Sequence, residues 1–351
     1  MLLLDRAFST IIRTGTLKVI DAGGKTHTYG GSPGPEVTIR IHDAWTPWRI
    51  ALRPYLALGE SYMDGGFTVE DGKDIKDFLG LLLSNMRWHR DSSFHSRRGL
   101  WFKKLVSTLM QINPTARSRR NVAHHYDLSG ALYDLFLDRD RQYSCAYFPD
   151  DSTSLDDAQE AKKAHLAAKL LLQPGQRVLD IGCGWGGLGL YLNRASNARV
   201  QGVTLSTEQL GVARKRAEDA GVADAVQFDL QDYRHLNGKF DRIVSVGMFE
   251  HVGKPHYQAY FDKIHELLDD DGVALIHTIG RADGPGRTDP WIRKYIFPGG
   301  YVPALSEVAP VIEQAGFYIT DIEFLRLHYA KTLEAWYDRF RANRDKVVNL
   351  Y

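Results

Sequence analysis

The sequence predicts an α/β protein: a doubly wound, mostly parallel sheet preceded by a smaller N-terminal α+β domain. Three observations carry this reading. Strand-like apolar runs alternate with helix-length segments from residue 177 onward, the pattern a parallel sheet requires, because each crossover must return over one of its faces. A glycine-rich turn joins the first of these runs to a helix. The 351 residues are also too many for one ordinary globular core, which favours two domains.

With 44% hydrophobic and 25% charged residues, 32 glycines and 13 prolines, the composition is that of a folded globular protein and excludes wholesale disorder. No apolar run approaches the ~20 residues that a membrane-spanning helix needs. Arg6 interrupts the N-terminus, and residues 79–83 are the richest short stretch. The opening MLLLDRAFSTIIRTG lacks a small-residue cleavage site, so it does not read as a secretory signal, and a cytoplasmic location is expected. Cys145 and Cys183 allow at most one disulfide, and neither has a partner at metal-ligand spacing. Both are expected as reduced thiols, with no metal site.

Residues 1–86 hold a strand-like run, VTIRIHD at 37–43, and a helical pattern from Pro54 to Tyr62 that Asp64-Gly65-Gly66 closes. Residues 87–120 then carry nine basic side chains against Asp91 alone, a local +8 in a chain whose net charge is +1. Trp88, Phe94, Leu100, Trp101, Phe102, Leu105 and Val106 interleave with these bases, which suits a segment lying on an anionic lipid surface. Nucleic acid is a second partner for such a pattern, and a solvated linker packing its aromatics on a neighbour is the plainest reading. The second domain spans 121–351.

Within it, Ser154 can cap a strong helix, Asp156 and Asp157 sit in its first turn, and Pro174-Gly175 end it. Strands are predicted at 177–183 (RVLDIGC), 199–205 (RVQGVTL), 225–231 (AVQFDLQ), 240–248 (FDRIVSVGM), 272–280 (GVALIHTIG) and 318–327 (YITDIEFLRL).

In VLDIGCGWGGLGLYL, Gly182, Gly184, Gly186 and Gly187 stand between strand and helix. Without Cβ atoms they permit a tight turn and a close ligand approach, and the helix offers unpaired N–H groups. The spacing of Gly182, Gly184 and Gly187 leaves NAD and S-adenosylmethionine (SAM) both open. An NAD site expects an acid at the end of the second strand, where Val203-Thr204-Leu205-Ser206 supplies none. Asp180 instead precedes the turn, and Asp232 ends the third strand, where it can accept from an adenine amino group. The order D-x-G-x-G-x-G favours SAM, whose ammonium and sulfonium suit a nearby carboxylate.

Further motifs extend the pattern: AHHYDLSGALYDLFLD (123–138), QYSCAYF (142–148), TLSTEQ (204–209), RIVSVGMFEHVG (242–253), IHTIG (276–280), YIFPGGYVP (295–303) and HYAKTL (328–333). LDIGCGWGG alone would mark only a class I methyltransferase. Together the motifs make the chain resemble the cyclopropane-fatty-acyl-phospholipid synthases and their mycolic-acid-modifying relatives.

The resemblance implies a class I methyltransferase, Rossmann-like sheet and transfer of a methylene from SAM to the cis double bond of an acyl chain, with bound bicarbonate as general base. It implies that the Cys145 backbone, Glu250, His277, the Ile279 backbone and Tyr329 hold the bicarbonate. Tyr143 and Ser144 match positions near the SAM methionine moiety, and Thr204, Leu205, Ser206 and Gln209 match those around the ribose. His125 either shapes the cofactor lid or is structural. Tyr143, Phe249, Tyr257, Tyr295, Phe297, Tyr301 and Tyr329 offer aromatic faces to a carbocation, although each is also an ordinary core residue.

LALGESYMDGGF at 56–67 resembles the phospholipid-acting bacterial enzymes. This implies a lipid-associated domain over 1–86, a membrane contact over 87–120 and a catalytic domain over 121–351. The implied partner is a phospholipid surface with unsaturated acyl chains at the inner face of the cell membrane, not nucleic acid, and the implied assembly is a homodimer. The family pattern continues past HYAKTL through two helices and a final strand, so a missing C-terminal piece is expected. Two other functions compete: fatty-acyl C-methylation without ring closure, and an inactive lipid-surface-binding homologue.

Overall fold

The computed structural model describes residues 1–86 and 130–350, so the basic segment 87–120 and His125 lie outside the described residues. The chain divides into two compact units, one formed by its N-terminal part together with Thr288–Ile296 and the other by the remainder. Among the described residues no helix is long and apolar enough to cross a membrane.

The N-terminal unit is built on strands β1 (Gly15–Ile20), β2 (Thr26–Ser32), β3 (Glu36–Ile41) and β4 (Phe67–Val69), in the order β2-β1-β3-β4. β1 and β3 run parallel, and both edge strands are antiparallel to their neighbours. Alternation along the strands sends Leu17, Val19, Val37, Ile39 and Ile41 into a core shared with Phe8, Phe78 and Leu81. The helix Ile75–Asn85 starts at Asp74, whose carboxylate accepts from the Lys76 N–H at 2.8 Å. The strand expected at 37–43 is β3, and the helix expected from Pro54 is Pro54–Met63.

The second unit contains β5 (Arg177–Ile181), β6 (Arg199–Thr204), β7 (Val226–Leu230), β8 (Phe240–Val246) and β9 (Leu268–His277). They form one sheet in the order β7-β6-β5-β8-β9, with every pair parallel. This is the doubly wound sheet the sequence predicts, and five of the six expected strands belong to it. Leu179, Ile181 and Ile243 pack with Phe249, Tyr260 and Ile264 on one face. Val178, Val200, Phe228 and Val244 pack with Leu166, Leu188 and Leu192 on the other. The chain winds outward from β5 in both directions, so a crevice opens at the carboxyl ends of β5 and β8, where open α/β sheets bind their ligands.

The expected strand at 318–327 is corrected. Among the described residues, 318–325 pair with no strand, and Arg326–Ala342 is helical. The alternation in YITDIEF imitates a half-buried strand, but Tyr318 and Phe324 are exposed. The segment follows its acids instead: Asp321 pairs with Lys169, and Glu323 pairs with Lys169 at 2.9 Å and His165 at 2.6 Å. Both partners belong to the helix Leu155–Lys169, which Ser154 caps as expected by accepting from the Asp157 N–H.

Gly186 begins the helix Gly187–Ser196 with a left-handed φ of 82°. A Cβ there would lie 2.7 Å from the Phe228 ring and 2.9 Å from Ala213. Left-handed strain and overpacking together predict that Gly186→Ala costs about 2 kcal/mol or more. Thermal unfolding should show a clearly lower midpoint, and an unchanged midpoint would contradict this packing.

Candidate active site

The carboxyl ends of the central strands enclose a cavity of about 1450 Å³ including its open mouth. Its wall is the turn after β5, Thr204 and Leu205 after β6, Asp232 and Arg234 after β7, Gly247 and Met248 after β8, and a strap at Gln142–Ser144. At Gly184, with φ 54°, a Cβ would meet nothing within 4 Å, so the bare backbone of the turn borders open space. Of the predicted cofactor residues, Tyr143, Ser144, Asp180, Gly182, Gly184, Thr204, Leu205, Gln209 and Asp232 line this cavity. Gly186 and Ser206 are not in its wall. Gly186 turns toward Phe228, and the Ser206 hydroxyl caps the helix Thr207–Asp219 by accepting from the Gln209 N–H at 3.3 Å.

Asp180 is 1% exposed, and its Oδ2 has no partner among the described residues. Burial pushes its pKa up to about 7, so a cation entering the cavity would draw out the charged form. Asp232 behaves oppositely. Burial works to raise its pKa, but hydrogen bonds from Arg234, at 2.9 Å from Nε and 2.6 Å from Nη2, hold it below the usual carboxylate range. The two oxygens expected to receive an adenine amino group are thus already engaged by Arg234. Thr204 Oγ1 donates to Gln209 Oε1 at 3.0 Å, closing the exit of β6 with neutral groups.

The strap is pinned from below. Gln159 Nε2 donates to the carbonyls of Gln142 and Ser144 at 3.1 and 3.0 Å, and Lys162 Nζ donates to Ser144 Oγ at 2.7 Å. Both side chains lie on the buried row of Leu155–Lys169, with Leu155, Ala158, Lys163 and Leu166. No motif in the sequence marks them, because Gln and Lys are mostly surface residues. Their spacing at i+4 and i+7 from Leu155 was the available signal. Burial lowers the Lys162 pKa to about 8.

A second polar cluster forms where β8 and β9 end side by side, with Val246 opposite His277. Glu250 follows β8, Ile279 follows β9, and the Ile279 N–H donates to Glu250 Oε1 at 2.6 Å. Glu250 Oε2 and His277 Nδ1 are buried without partners among the described residues. Burial raises the Glu250 pKa and pushes His277 down to about 4, so the imidazole is neutral near pH 7. The Ile279 N–H orients the Glu250 carboxylate and is not free for a ligand.

The Cys145 N–H has no partner among the described residues. Burial lifts its thiol to about 11, which keeps it protonated and unsuited to nucleophilic attack. Just beyond it, Ala146 N–H donates to Thr332 Oγ1 at 2.9 Å and Phe148 N–H to His328 Nδ1 at 2.8 Å. These bonds bring the helix carrying Tyr329 against the strap. Burial raises the Tyr329 phenol pKa, and the charges of Tyr143, Glu250 and Cys145 raise it further, which puts Tyr329 within electrostatic reach of both clusters.

The other expected aromatic faces divide differently. Phe249 and Tyr257 stack at 4.5 Å inside the core, Tyr301 donates to Glu307 at 2.7 Å, and Phe297 packs beside His251. Tyr295 donates to Glu60 within the N-terminal unit. Tyr143, stacked on Trp336 at 5.2 Å, and Tyr329 remain beside the strap.

The family model for mycolic acid cyclopropane synthetase matches residues 113–351. A cyclopropane-fatty-acyl-phospholipid synthase of Escherichia coli (strain K12) is 39% identical over 325 residues, covering 92% of this chain and 80% of the relative. A probable fatty acid methyltransferase of Pseudomonas putida is 43% identical over 237 residues, 65% of this chain and 60% of that protein, so the chain spans less than two thirds of that relative. Among solved structures, mycolic acid cyclopropane synthase CmaA1 complexed with SAH and CTAB superposes with a TM-score of 0.63 at 36% identity, over 68% of this chain and 88% of that one.

The raised pKa of Asp180 makes cation binding in the cavity pH-dependent. A ligand ammonium needs the ionised carboxylate, so affinity should fall as pH drops through about 7. Calorimetry with S-adenosylhomocysteine should show binding tightening between pH 6 and 8. Asp180→Asn should bind about tenfold more weakly, the loss of one charge-assisted contact, with little pH dependence. A flat profile in the unaltered protein would remove Asp180 from the site.

Proposed function

This chain belongs to the mycolic acid cyclopropane synthetase family, and we propose that it transfers a methylene from SAM to the cis double bond of phospholipid acyl chains, forming cyclopropane fatty acyl chains, with bicarbonate as general base. As a member it is a SAM-dependent methyltransferase. The observation that carries the finer reading is the pair of atoms Glu250 Oε2 and His277 Nδ1, buried and without partners among the described residues, on the segments that leave two adjacent strands. Such groups are stable only if something polar completes them.

SAM supplies an electrophilic methyl carbon, and bicarbonate, when held, takes the proton that leaves that carbon as the ring closes. The chain's own residues do the rest. Asp180 and the bare turn at Gly182 and Gly184 seat the donor, and Thr204 with Gln209 offers neutral hydrogen bonds. Tyr143 and Tyr329 present aromatic faces that stabilise a cation without a fixed negative charge that would trap it. The Cys145 N–H, the neutral His277 ring and the Tyr329 hydroxyl can donate to a carbonate-sized anion, while the Ile279 N–H fixes Glu250. Glu250, its pKa raised by burial, can receive and hold a proton at Oε2.

The acyl chains lie in a membrane, and the N-terminal unit exposes Trp45, Trp48, Leu52 and Tyr55, which supports a lipid-associated role for residues 1–86 and peripheral action at the inner face of the cell membrane. The segment 87–120 adds a basic, aromatic stretch suited to the same surface. A second reading, methyl transfer that stops before ring closure, draws on the likeness to the probable fatty acid methyltransferase. Product analysis separates them. The unreduced methylene branch is isomeric with the cyclopropane and is told from it by its vinylic proton signals in NMR, whereas a saturated methyl branch, which needs a separate hydride donor, carries two more hydrogens.

Incubation with SAM and oleoyl phospholipid vesicles should give cyclopropane product that depends on bicarbonate. No such product, or a methyl-branched one alone, would overturn the reading. Glu250→Gln should lower turnover by about 10² or more, the scale of a lost general base, while S-adenosylhomocysteine affinity changes less than about threefold. Unchanged turnover would remove Glu250 from the chemistry.

A further inference from the structure

Lys162 is a buried cation with no contact counterion. It is 2% exposed, and its Nζ makes one hydrogen bond among the described residues, to Ser144 Oγ at 2.7 Å. The other buried cations are satisfied. Lys163 pairs with Asp140 at 2.6 Å and Glu160 at 2.7 Å, and Arg242 donates to the carbonyls of Leu170, Leu171 and Asp241. An ammonium has three donors, so two of those on Lys162 remain unspent, and burying such a charge unpaired is costly.

The charges facing Lys162 show where its field falls. Asp138 and Asp140 precede the strap, Lys163 shares its helix, Cys145 ends the strap, and His277 ends β9. Asp138 is buried, and the N–H groups of Asp140 and Gln142 already occupy its oxygens, at 2.9 and 2.7 Å. Asp140 is taken by Lys163 and Arg216. Asp138 remains the leading opposing charge without touching the ammonium, and the Lys162 charge is also felt at the Cys145 thiol and at the His277 ring, whose Nδ1 has no partner among the described residues.

We propose that Lys162 is a positioning residue for the anionic base: its ammonium fixes the Gln142–Cys145 strap through Ser144 and supplies the positive potential that orients a carbonate-sized anion between Cys145 and His277. This rests on the bicarbonate reading above and adds to it a cation that no motif of the chain marks. Because His277 is neutral, the cluster has no other buried positive charge among the described residues to balance such an anion.

The test uses the full chain saturated with S-adenosylhomocysteine and reads [¹³C]bicarbonate binding by NMR line broadening, alongside turnover on oleoyl phospholipid vesicles. Lys162→Met should weaken bicarbonate binding at least about tenfold, the scale of one charge-assisted contact, and lower kcat at fixed bicarbonate, with the KM for SAM moving less than about threefold. Lys162→Arg should restore most of both. Lys162→Gln, which can still donate to Ser144, should fail like the Met variant, and it decides the matter if Lys162→Met does not fold. Bicarbonate binding by Lys162→Gln equal to that of the unaltered protein overturns the proposal, as does a loss of SAM affinity matching the loss of bicarbonate. Absence of bicarbonate binding in the unaltered protein instead overturns the base assignment on which the proposal rests.

Discussion

The Ile279 N–H donates to Glu250 Oε1 at 2.6 Å and thereby ties the exit of β8 to the exit of β9. That bond leaves Glu250 Oε2 buried and without a hydrogen-bond partner among the described residues, and the adjacent strand ends at His277, whose Nδ1 is in the same state. Buried polar atoms without a partner are costly, so each of the two calls for a polar group to complete it. The remaining architecture holds this pair steady. The parallel ladder from Phe240 to Val246 sets the separation of the strands, and Phe249, one residue before Glu250, is fully buried among Tyr257, Tyr260 and Phe261.

Two buried groups of opposite charge serve the site: one lines the cavity and the other touches the strap. Asp180 offers a carboxylate to the cavity, and Lys162 places an ammonium under Ser144 and toward Cys145. A cationic donor and an anionic base would each meet a complementary charge. Asp232, in the cavity wall, is paired with Arg234, and Asp140 is paired with Lys163 and Arg216. Hydrogen bonds from Gln159 and Lys162 hold the strap in place.

Much of this was legible in the chain. The runs at 177–183, 199–205, 225–231, 240–248 and 272–280 read as strands because both faces of the sheet are covered, which leaves continuous apolar stretches. The stretch 318–327 misled because its alternation is real but local, and pairing of Asp321 and Glu323 with Lys169 and His165 governs its path. Nine of the eleven expected cofactor positions line the cavity: Gly182 and Gly184 because glycine nearly dictates the backbone of such a turn, Asp180 and Asp232 from their places at strand ends, and Tyr143, Ser144, Thr204, Leu205 and Gln209 as positions the resemblance implies. Gln159 and Lys162 escaped because composition marks Gln and Lys as surface residues, and only tertiary packing shows that their helix turns them inward. Nothing in the linear pattern marks Thr288–Ile296 as packing with the N-terminal unit, where Lys294 pairs with Glu60 at 2.6 Å.

The most direct examination of the central claim is a crystal structure of the protein with S-adenosylhomocysteine and bicarbonate. The account predicts planar density for one carbonate-sized anion within about 3.2 Å, hydrogen-bond distance, of Glu250 Oε2, the His277 ring and the Cys145 N–H. Glu250 Oε2 turned onto another protein group, with no anion beside it, would contradict the account.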